Sequence, residues 1–191
     1  MGEQITAEHS LRQVEVRLKL IDGPPLYGGT VVRTPDDAVD LMRGFMSDLD
    51  KEYFCVVNFD ASCAPLGFNV VSMGDINMCY VPLQNVFKSA ILQNAASIMA
   101  FHNHPSGDIS PSQQDFELTK RLSAASNFMN IKLLDHIIIG GGNRCYESLN
   151  QSYPELFNLM PDFTNLKDIN SRTIAAENVD DNQCLLLRRH R

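Results

Sequence analysis

Three side chains of the kinds that bind metal ions lie close together near the middle of the sequence: His102, His104 and Asp115. The two histidines end an apolar run, residues 95–101, that predicts a buried strand, and side chains two apart in a strand leave the same face. Two neutral imidazoles and one carboxylate hold zinc in catalytic sites that keep a fourth position open for water. The spacing therefore predicts a zinc site suited to metal-assisted hydrolysis.

The turn and helix that follow the histidines must bring Asp115 to them. We expect Ser110 to be the N-cap of this helix, Pro111 its first residue, and Gln113 the residue that closes a capping box. An apolar face then runs through Leu118, Leu122, Ala125 and Met129. Asp115 lies on the same face, where an unpaired carboxylate is costly. Each residue alone could be structural, a core histidine or a capping aspartate, but together they favour a metal ion.

Strand and helix patterns alternate around this centre. Strands are predicted at residues 14–20, 53–59, 66–73, 132–139 and 144–149, with a short extended segment at 78–81. Helices are predicted to begin at Thr34-Pro35 and at Pro82, and a further short helix is predicted within residues 150–161. Their apolar faces are explained by core packing. The pattern predicts an α/β fold in which helices pack on a layered, mixed β-sheet.

The spacing of the polar residues resembles a known metal-binding signature. The motif of the JAB/MPN (JAMM) metalloprotease domain is similar to the pattern here, which is His102-x-His104, then seven residues, Ser112, two residues and Asp115. The sequence of residues 102–115 resembles the RadC-like branch of that family in particular. Residues 133–140 look like the strand after the helix in that branch. The resemblance covers residues 31–150 and implies a cytidine-deaminase-like architecture. It divides the chain into an N-terminal extension, 1–30, that domain, 31–150, and a C-terminal helix and polar tail, 151–191.

The resemblance also implies roles for single residues. Glu52, which opens the strand at 53–59, matches the glutamate that bonds the metal-bound water and acts as general base. Ser112 matches the serine that stabilises the oxyanion. By charge alone Glu52 would be a solvated residue, and Ser112 an ordinary residue of a helix start. For His136 we expect a structural pair with Asp135 or a buried hydrogen bond rather than a fourth ligand, and for Asn103 and Ser106 supporting roles around the metal loop.

The composition of the chain limits the partners and the cellular compartment that are expected for such a site. The net charge is −7, which disfavours broad attraction to the phosphates of nucleic acid. The five cysteines are scattered and predict neither a disulfide framework nor a thiolate metal site. No apolar run approaches the ~20 residues that span a bilayer, and no secretory pattern is visible. We expect a cytoplasmic protein that acts on a peptide or protein, including a conjugate of a ubiquitin-like protein, with Zn²⁺ as cofactor.

Two other functions stay open at this point. A metal-dependent hydrolase acting on nucleic acid or a nucleotide could use the same ligands. RadC-like proteins carry a DNA-repair label and often an N-terminal helix-hairpin-helix region, whereas residues 1–30 predict strand and turn. A noncatalytic JAB/MPN binding module would keep the fold without the chemistry. The sequence contains Glu52 in addition to the three predicted ligands, and this favours the zinc-dependent peptidase or isopeptidase.

Overall fold

A computed structural model describes residues 31–74, 81–141 and 145–160. The predicted strand at 14–20, the extension 1–30 and the polar tail beyond residue 160 lie outside the described residues, as does most of the segment at 78–81. The helices are α1 (Pro35–Met46), α2 (Leu83–Leu92), α3 (Gln113–Met129) and α4 (Leu149–Ser152), with a 3-10 turn at Pro154–Phe157. The strands are β1 (Glu52–Phe59), β2 (Pro65–Gly74), β3 (Ser97–His104), β4 (Lys132–Gly140) and β5 (Tyr146–Ser148). No described helix is long and apolar enough to cross a membrane.

The five strands form one mixed sheet in the order β2-β1-β3-β4-β5. The β3–β4 pair is parallel, because α3 carries the chain back between them, and the other pairs are antiparallel. Alternate strand residues leave opposite faces, so the sheet has an apolar core on each side. Residues of α1 pack on one face, and residues of α2 and α3 pack on the other. The predicted α/β architecture with a layered, mixed sheet is confirmed.

Helix α1 begins as the sequence predicts. Thr34 accepts a hydrogen bond from the Asp37 amide, and the Asp37 carboxylate accepts one from the Thr34 amide, which completes a capping box. The buried face includes Ala38 and Met42. The helix ends at Met46, so Leu49 packs against the same core from beyond the helix.

Helix α3 corrects the prediction for the helix start. The N-cap is Ser112, not Ser110, and the residue that closes the capping box is Asp115, not Gln113. The buried face is also rotated, because it consists of Thr119, Leu122, Ser123 and Ser126. Met129, expected on that face, is 37% exposed. Small side chains let the helix approach β4 closely, and Leu118 and Ala125 pack at the edge of the core.

The last strand is shorter than predicted. Strand β5 ends at Ser148, whose hydroxyl accepts a hydrogen bond from the Gln151 amide and so caps α4. Leu149 is therefore the first residue of a helix rather than the end of a strand. The short helix expected within residues 150–161 corresponds to α4 and the 3-10 turn.

Candidate metal centre

The end of β3 and the first turn of α3 bring the three predicted ligands together. One ligand atom from each of His102, His104 and Asp115 lies within 4.8 Å of the others. The Nε2 atoms of the two histidines are 2.9 Å apart. Asp115 places Oδ1 3.3 Å from Nε2 of His102 and Oδ2 4.0 Å from Nε2 of His104. The predicted same-face geometry of the histidines is present, and α3 supplies the carboxylate.

Each histidine has its second ring nitrogen held by a partner. Nδ1 of His104 faces the backbone carbonyl oxygen of Asp108, which can only accept, so Nδ1 donates. Nδ1 of His102 lies 2.9 Å from Nε2 of His136. In a neutral imidazole that donates through Nδ1, Nε2 carries a lone pair. His104 thus presents a lone pair on Nε2, and His102 does the same in the tautomer that donates through Nδ1 to His136.

Burial favours the neutral form of the inner histidines. It lowers the pKa of His102 well below its ordinary value, and the neighbouring His136 adds to the shift. It also lowers the pKa of His136 to about 4. Burial opposes ionisation of Asp115, but the nearby His102 and the hydrogen bonds from Ser112 outweigh it, and the pKa of Asp115 lies below its ordinary value. At neutral pH the centre therefore combines an ionised carboxylate with neutral inner imidazoles.

This arrangement fits a divalent cation by its chemistry and its dimensions. With His102 in that tautomer, three acceptor atoms converge with no donor between them, and a cation would remove their mutual repulsion. Ligand atoms about 2.0–2.2 Å from a tetrahedral zinc ion are about 3.3–3.6 Å apart. The two Nε2 atoms are 2.9 Å apart, and the carboxylate contacts that bracket the tetrahedral value are 3.3 Å from Oδ1 to His102 and 4.0 Å from Oδ2 to His104. Small ring and carboxylate movements would complete the coordination.

Glu52 lies on the same face of the sheet as the histidines. It is the first residue of β1, two positions before Phe54, which pairs with His102, and its carboxyl group is close enough to feel the charges of His104 and Asp115. The carboxylate is half-buried. Burial raises its pKa, the charge of Asp115 acts in the same direction, and His104 opposes them. The structure thus brings the predicted general base to the edge of the three-ligand group.

Asn103 holds the backbone on both sides of Glu52. Its side-chain Oδ1 accepts a hydrogen bond from the Tyr53 amide at 2.8 Å, and its Nδ2 donates to the Lys51 carbonyl at 2.9 Å. Asn103 is fully buried. The residue between the two histidines therefore fixes the strand that carries the glutamate, which gives the predicted supporting role a specific target.

The Ser112 hydroxyl has two partners in α3. Oγ accepts a hydrogen bond from the Asp115 amide at 3.2 Å and donates its hydrogen to Oδ2 of Asp115 at 2.6 Å. The hydroxyl has one hydrogen, so donation to an oxyanion would require it to leave the carboxylate. Ser112 is close to the centre, as predicted, and the oxyanion role stays a prediction.

The loop after His104 is packed tightly against the end of β4. The Gly141 amide donates to the His104 carbonyl at 2.9 Å, and a Cβ on Gly141 would lie 2.9 Å from the Pro105 carbonyl oxygen. Ser106 accepts from the Asp108 amide at 3.3 Å. Only glycine permits this close approach at Gly141, for which the run of three glycines at 140–142 predicts a turn but not this contact. Its signal was its place directly after the β4 strand pattern.

Two other residues near the centre escaped sequence reasoning. Asp108 acts through its backbone carbonyl, which has no signature in a sequence. Thr119 lies one helical turn after Asp115 and could have been found as a polar residue on the buried face.

His136 makes a buried hydrogen bond, as predicted, and does not belong to the three-ligand group. The Asp135 carboxylate accepts hydrogen bonds from the Ser148 hydroxyl and from the backbone amides of His136 and Asn150. None of the described cysteines belongs to the group.

A mixed sheet between helical layers, with two histidines at a strand end and an aspartate at a helix start, is the arrangement of a JAB-type domain. The family model described as "RadC-like JAB domain" matches residues 32–153. The chain belongs to this family.

Curated relatives agree with that assignment. A UPF0758 protein of Caldanaerobacter subterraneus subsp. tengcongensis is 44% identical to this chain over 111 residues. The aligned region covers 58% of this chain and 48% of the relative. A UPF0758 protein of Syntrophomonas wolfei is 34% identical over 154 residues, and the aligned region covers 75% of this chain and 66% of the relative. That of Moorella thermoacetica is 42% identical over 113 residues, and the aligned region covers 59% of this chain and 49% of the relative. The matched region thus spans about half to two thirds of these relatives.

Proposed function

We propose that this protein is a zinc-dependent hydrolase that cleaves peptide or isopeptide bonds. The observation that carries the proposal is the convergence of three acceptor atoms, from His102, His104 and Asp115, beside the half-buried carboxylate of Glu52. Two imidazoles and one carboxylate suit zinc and leave a coordination position for water. Membership of the JAB family, which is often hydrolytic, supports the reaction type. Its association with ubiquitin-like conjugates supports a protein substrate.

Each residue has a task in this proposal. His102, His104 and Asp115 would hold the zinc ion, which when bound supplies a Lewis acid that makes water nucleophilic near neutral pH. Glu52 would accept the proton of the attacking water and pass it to the leaving amine. Burial raises the pKa of Glu52 in the metal-free protein, and a bound cation would act in the opposite direction.

Ser112 would stabilise the oxyanion that forms from the scissile carbonyl. In its present position the hydroxyl donates to Asp115. Coordination of a cation would withdraw charge from that carboxylate and weaken its hold on the hydroxyl. The hydroxyl could then turn toward the substrate, and loss of one such donor costs about 3–4 kcal/mol of transition-state stabilisation in other hydrolases.

The test compares wild-type protein with Glu52→Gln after zinc loading. A panel of fluorogenic peptides and isopeptide-linked ubiquitin-like conjugates provides the substrates, and Glu117→Gln, an exposed glutamate on α3, is the matched control. We expect hydrolysis by wild type and Glu117→Gln, and a rate at least about 100-fold lower for Glu52→Gln, because general bases contribute about 10²–10⁴-fold. Zinc content should be equal in all three. Glu52→Gln as active as wild type would refute the proposal, and zinc-loaded wild type inactive on every substrate would favour a binding module.

A further inference from the structure

A chain of buried hydrogen bonds connects two of the candidate ligands through residues that are not ligands. Nδ1 of His102 lies 2.9 Å from Nε2 of His136. Nδ1 of His136 lies 2.7 Å from the hydroxyl of Thr119, and that hydroxyl donates to the backbone carbonyl of Asp115 at 2.6 Å. His136 and Thr119 are fully buried. The chain runs from β3 through β4 to α3 and returns to the candidate centre at Asp115.

The backbone carbonyl of Asp115, at the end of this series of hydrogen bonds, determines the direction of each bond in it. A carbonyl oxygen only accepts, so the Thr119 hydroxyl uses its one hydrogen on Asp115. The hydroxyl oxygen must then accept from Nδ1–H of His136. Neutral His136 consequently has a bare Nε2, which accepts from Nδ1–H of His102. His102 is left with its lone pair on Nε2, the atom that faces His104 and Asp115.

A histidine without such a partner could also carry its hydrogen on Nε2. In His102 that hydrogen would point at the position of the cation and block coordination. Partners at the second ring nitrogen of metal-binding histidines fix the tautomer and the ring orientation. The Asp108 carbonyl does this for His104 directly, whereas His102 depends on an intervening imidazole whose own tautomer must be set.

We infer that His136 and Thr119 are positioning residues that hold His102 in the tautomer and ring orientation in which its Nε2 atom can bind a metal ion. The inference rests on the metal centre of the proposed function and adds residues that do not touch the metal. It also gives a reason for a polar threonine on the buried face of α3. The same bonds join Asp115 to β4, so both ligands depend on one buried chain.

Two matched pairs of variants test this inference through Zn²⁺ affinity, measured on metal-free protein by competition with a chromophoric chelator. His136→Gln can place its amide oxygen where Nε2 accepts from His102, whereas His136→Phe fills the ring volume with no acceptor. We expect His136→Phe to bind zinc about 10–100-fold more weakly than wild type, and His136→Gln to stay closer to wild type. A packing role predicts the opposite order, because phenylalanine preserves the volume and glutamine does not.

Thr119 provides the second pair and does not require a change at His136. Thr119→Val keeps the shape but removes the acceptor for Nδ1–H of His136, whereas Thr119→Ser keeps the hydroxyl. Without that acceptor, His136 should move its hydrogen to Nε2 and oppose Nδ1–H of His102. We expect zinc affinity to fall at least about tenfold in Thr119→Val and to be rescued in Thr119→Ser, as for other partners of metal-bound histidines.

A spectroscopic measurement reports the tautomer itself. Long-range ¹H–¹⁵N spectra of metal-free protein labelled at histidine should show His136 protonated at Nδ1 in wild type and at Nε2 in Thr119→Val. Wild-type zinc affinity in both His136→Phe and Thr119→Val, or His136 protonated at Nε2 in wild type, would overturn the inference while leaving the metal centre intact. Wild-type protein that binds no zinc would overturn the centre itself and this inference with it.

Discussion

Replacing Ser112 by alanine should destabilise the metal-free protein, because one hydroxyl serves the helix start and the carboxylate of Asp115. The hydroxyl accepts from the Asp115 amide and donates to Oδ2 of Asp115. Alanine keeps neither bond. The Ser112 backbone amide, which also donates to Oδ2 at 2.7 Å, is unaffected, so the carboxylate keeps one donor.

The expected loss is about 2 kcal/mol in the free energy of unfolding. Removing an N-cap serine costs about 1 kcal/mol. A hydrogen bond to a fully buried charged group contributes about 1.5–3 kcal/mol, but about 1 kcal/mol, as for an ordinary hydrogen bond, is expected here, because Asp115 is only partly buried and keeps its backbone donor. At roughly 2–4 °C per kcal/mol for a chain of this size, the melting temperature should fall by about 4–8 °C.

Thermal unfolding of metal-free protein measures this loss, and Ser110→Ala is the matched control. Ser110 is the N-cap that the sequence suggested and is exposed in the structure, so its replacement should change stability by less than about 0.5 kcal/mol. Ser112→Thr keeps the hydroxyl and should stay within about 1 kcal/mol of wild type. Equal losses from the Ser110 and Ser112 alanine variants would refute the assignment of the helix start.

Three further predictions concern residues around the centre. Asn103→Ala should lower the hydrolytic rate more than the zinc affinity, because it releases the backbone beside Glu52; equal losses in kinetic assays and zinc titrations would contradict this. Gly141→Ala should weaken zinc binding about tenfold by displacing the loop at Pro105, whereas Gly44→Ala, with open space around it, should leave zinc binding unchanged in the same titration. Burial raises the pKa of Asp135, so its contribution to stability is present below its ordinary pKa of about 3.9 and is lost as pH rises through the folded-state value. The free energy of unfolding of Asp135→Asn, measured with denaturant between about pH 3 and 7, should therefore rise relative to that of wild type as pH increases. A difference between the two proteins that does not change with pH would contradict the raised pKa of Asp135.

The candidate ligands could be predicted from the sequence because local rules determine their placement. The period of two in β3 puts His102 and His104 on one face, and the short connection to α3 limits how far Asp115 can lie from them. The mixed sheet followed from strand and helix patterns in the same way. Glu52 was found only through the resemblance to a known family, since its approach depends on the antiparallel pairing of β1 with β3.

The errors arose where two local signals competed or where tertiary contacts decided. Ser110-Pro111 and Ser112 each offered a helix start, and the bond between Ser112 and Asp115 favours the second. The sequence pattern predicts an apolar buried face for α3, whereas Thr119 faces His136 through a contact between residues 17 positions apart. The close approach of Gly141 to Pro105 likewise depends on the packing of two loops, which no local pattern encodes.

The most direct test of the account is the metal content of the protein, purified without a metal-affinity column and measured by mass spectrometry. A His102→Ala/His104→Ala double variant is the comparison. We expect about one zinc ion per chain in wild type and none in the variant. Wild-type protein that contains no metal, and takes up no zinc tightly when it is supplied, would contradict the proposed centre and the hydrolytic function built on it.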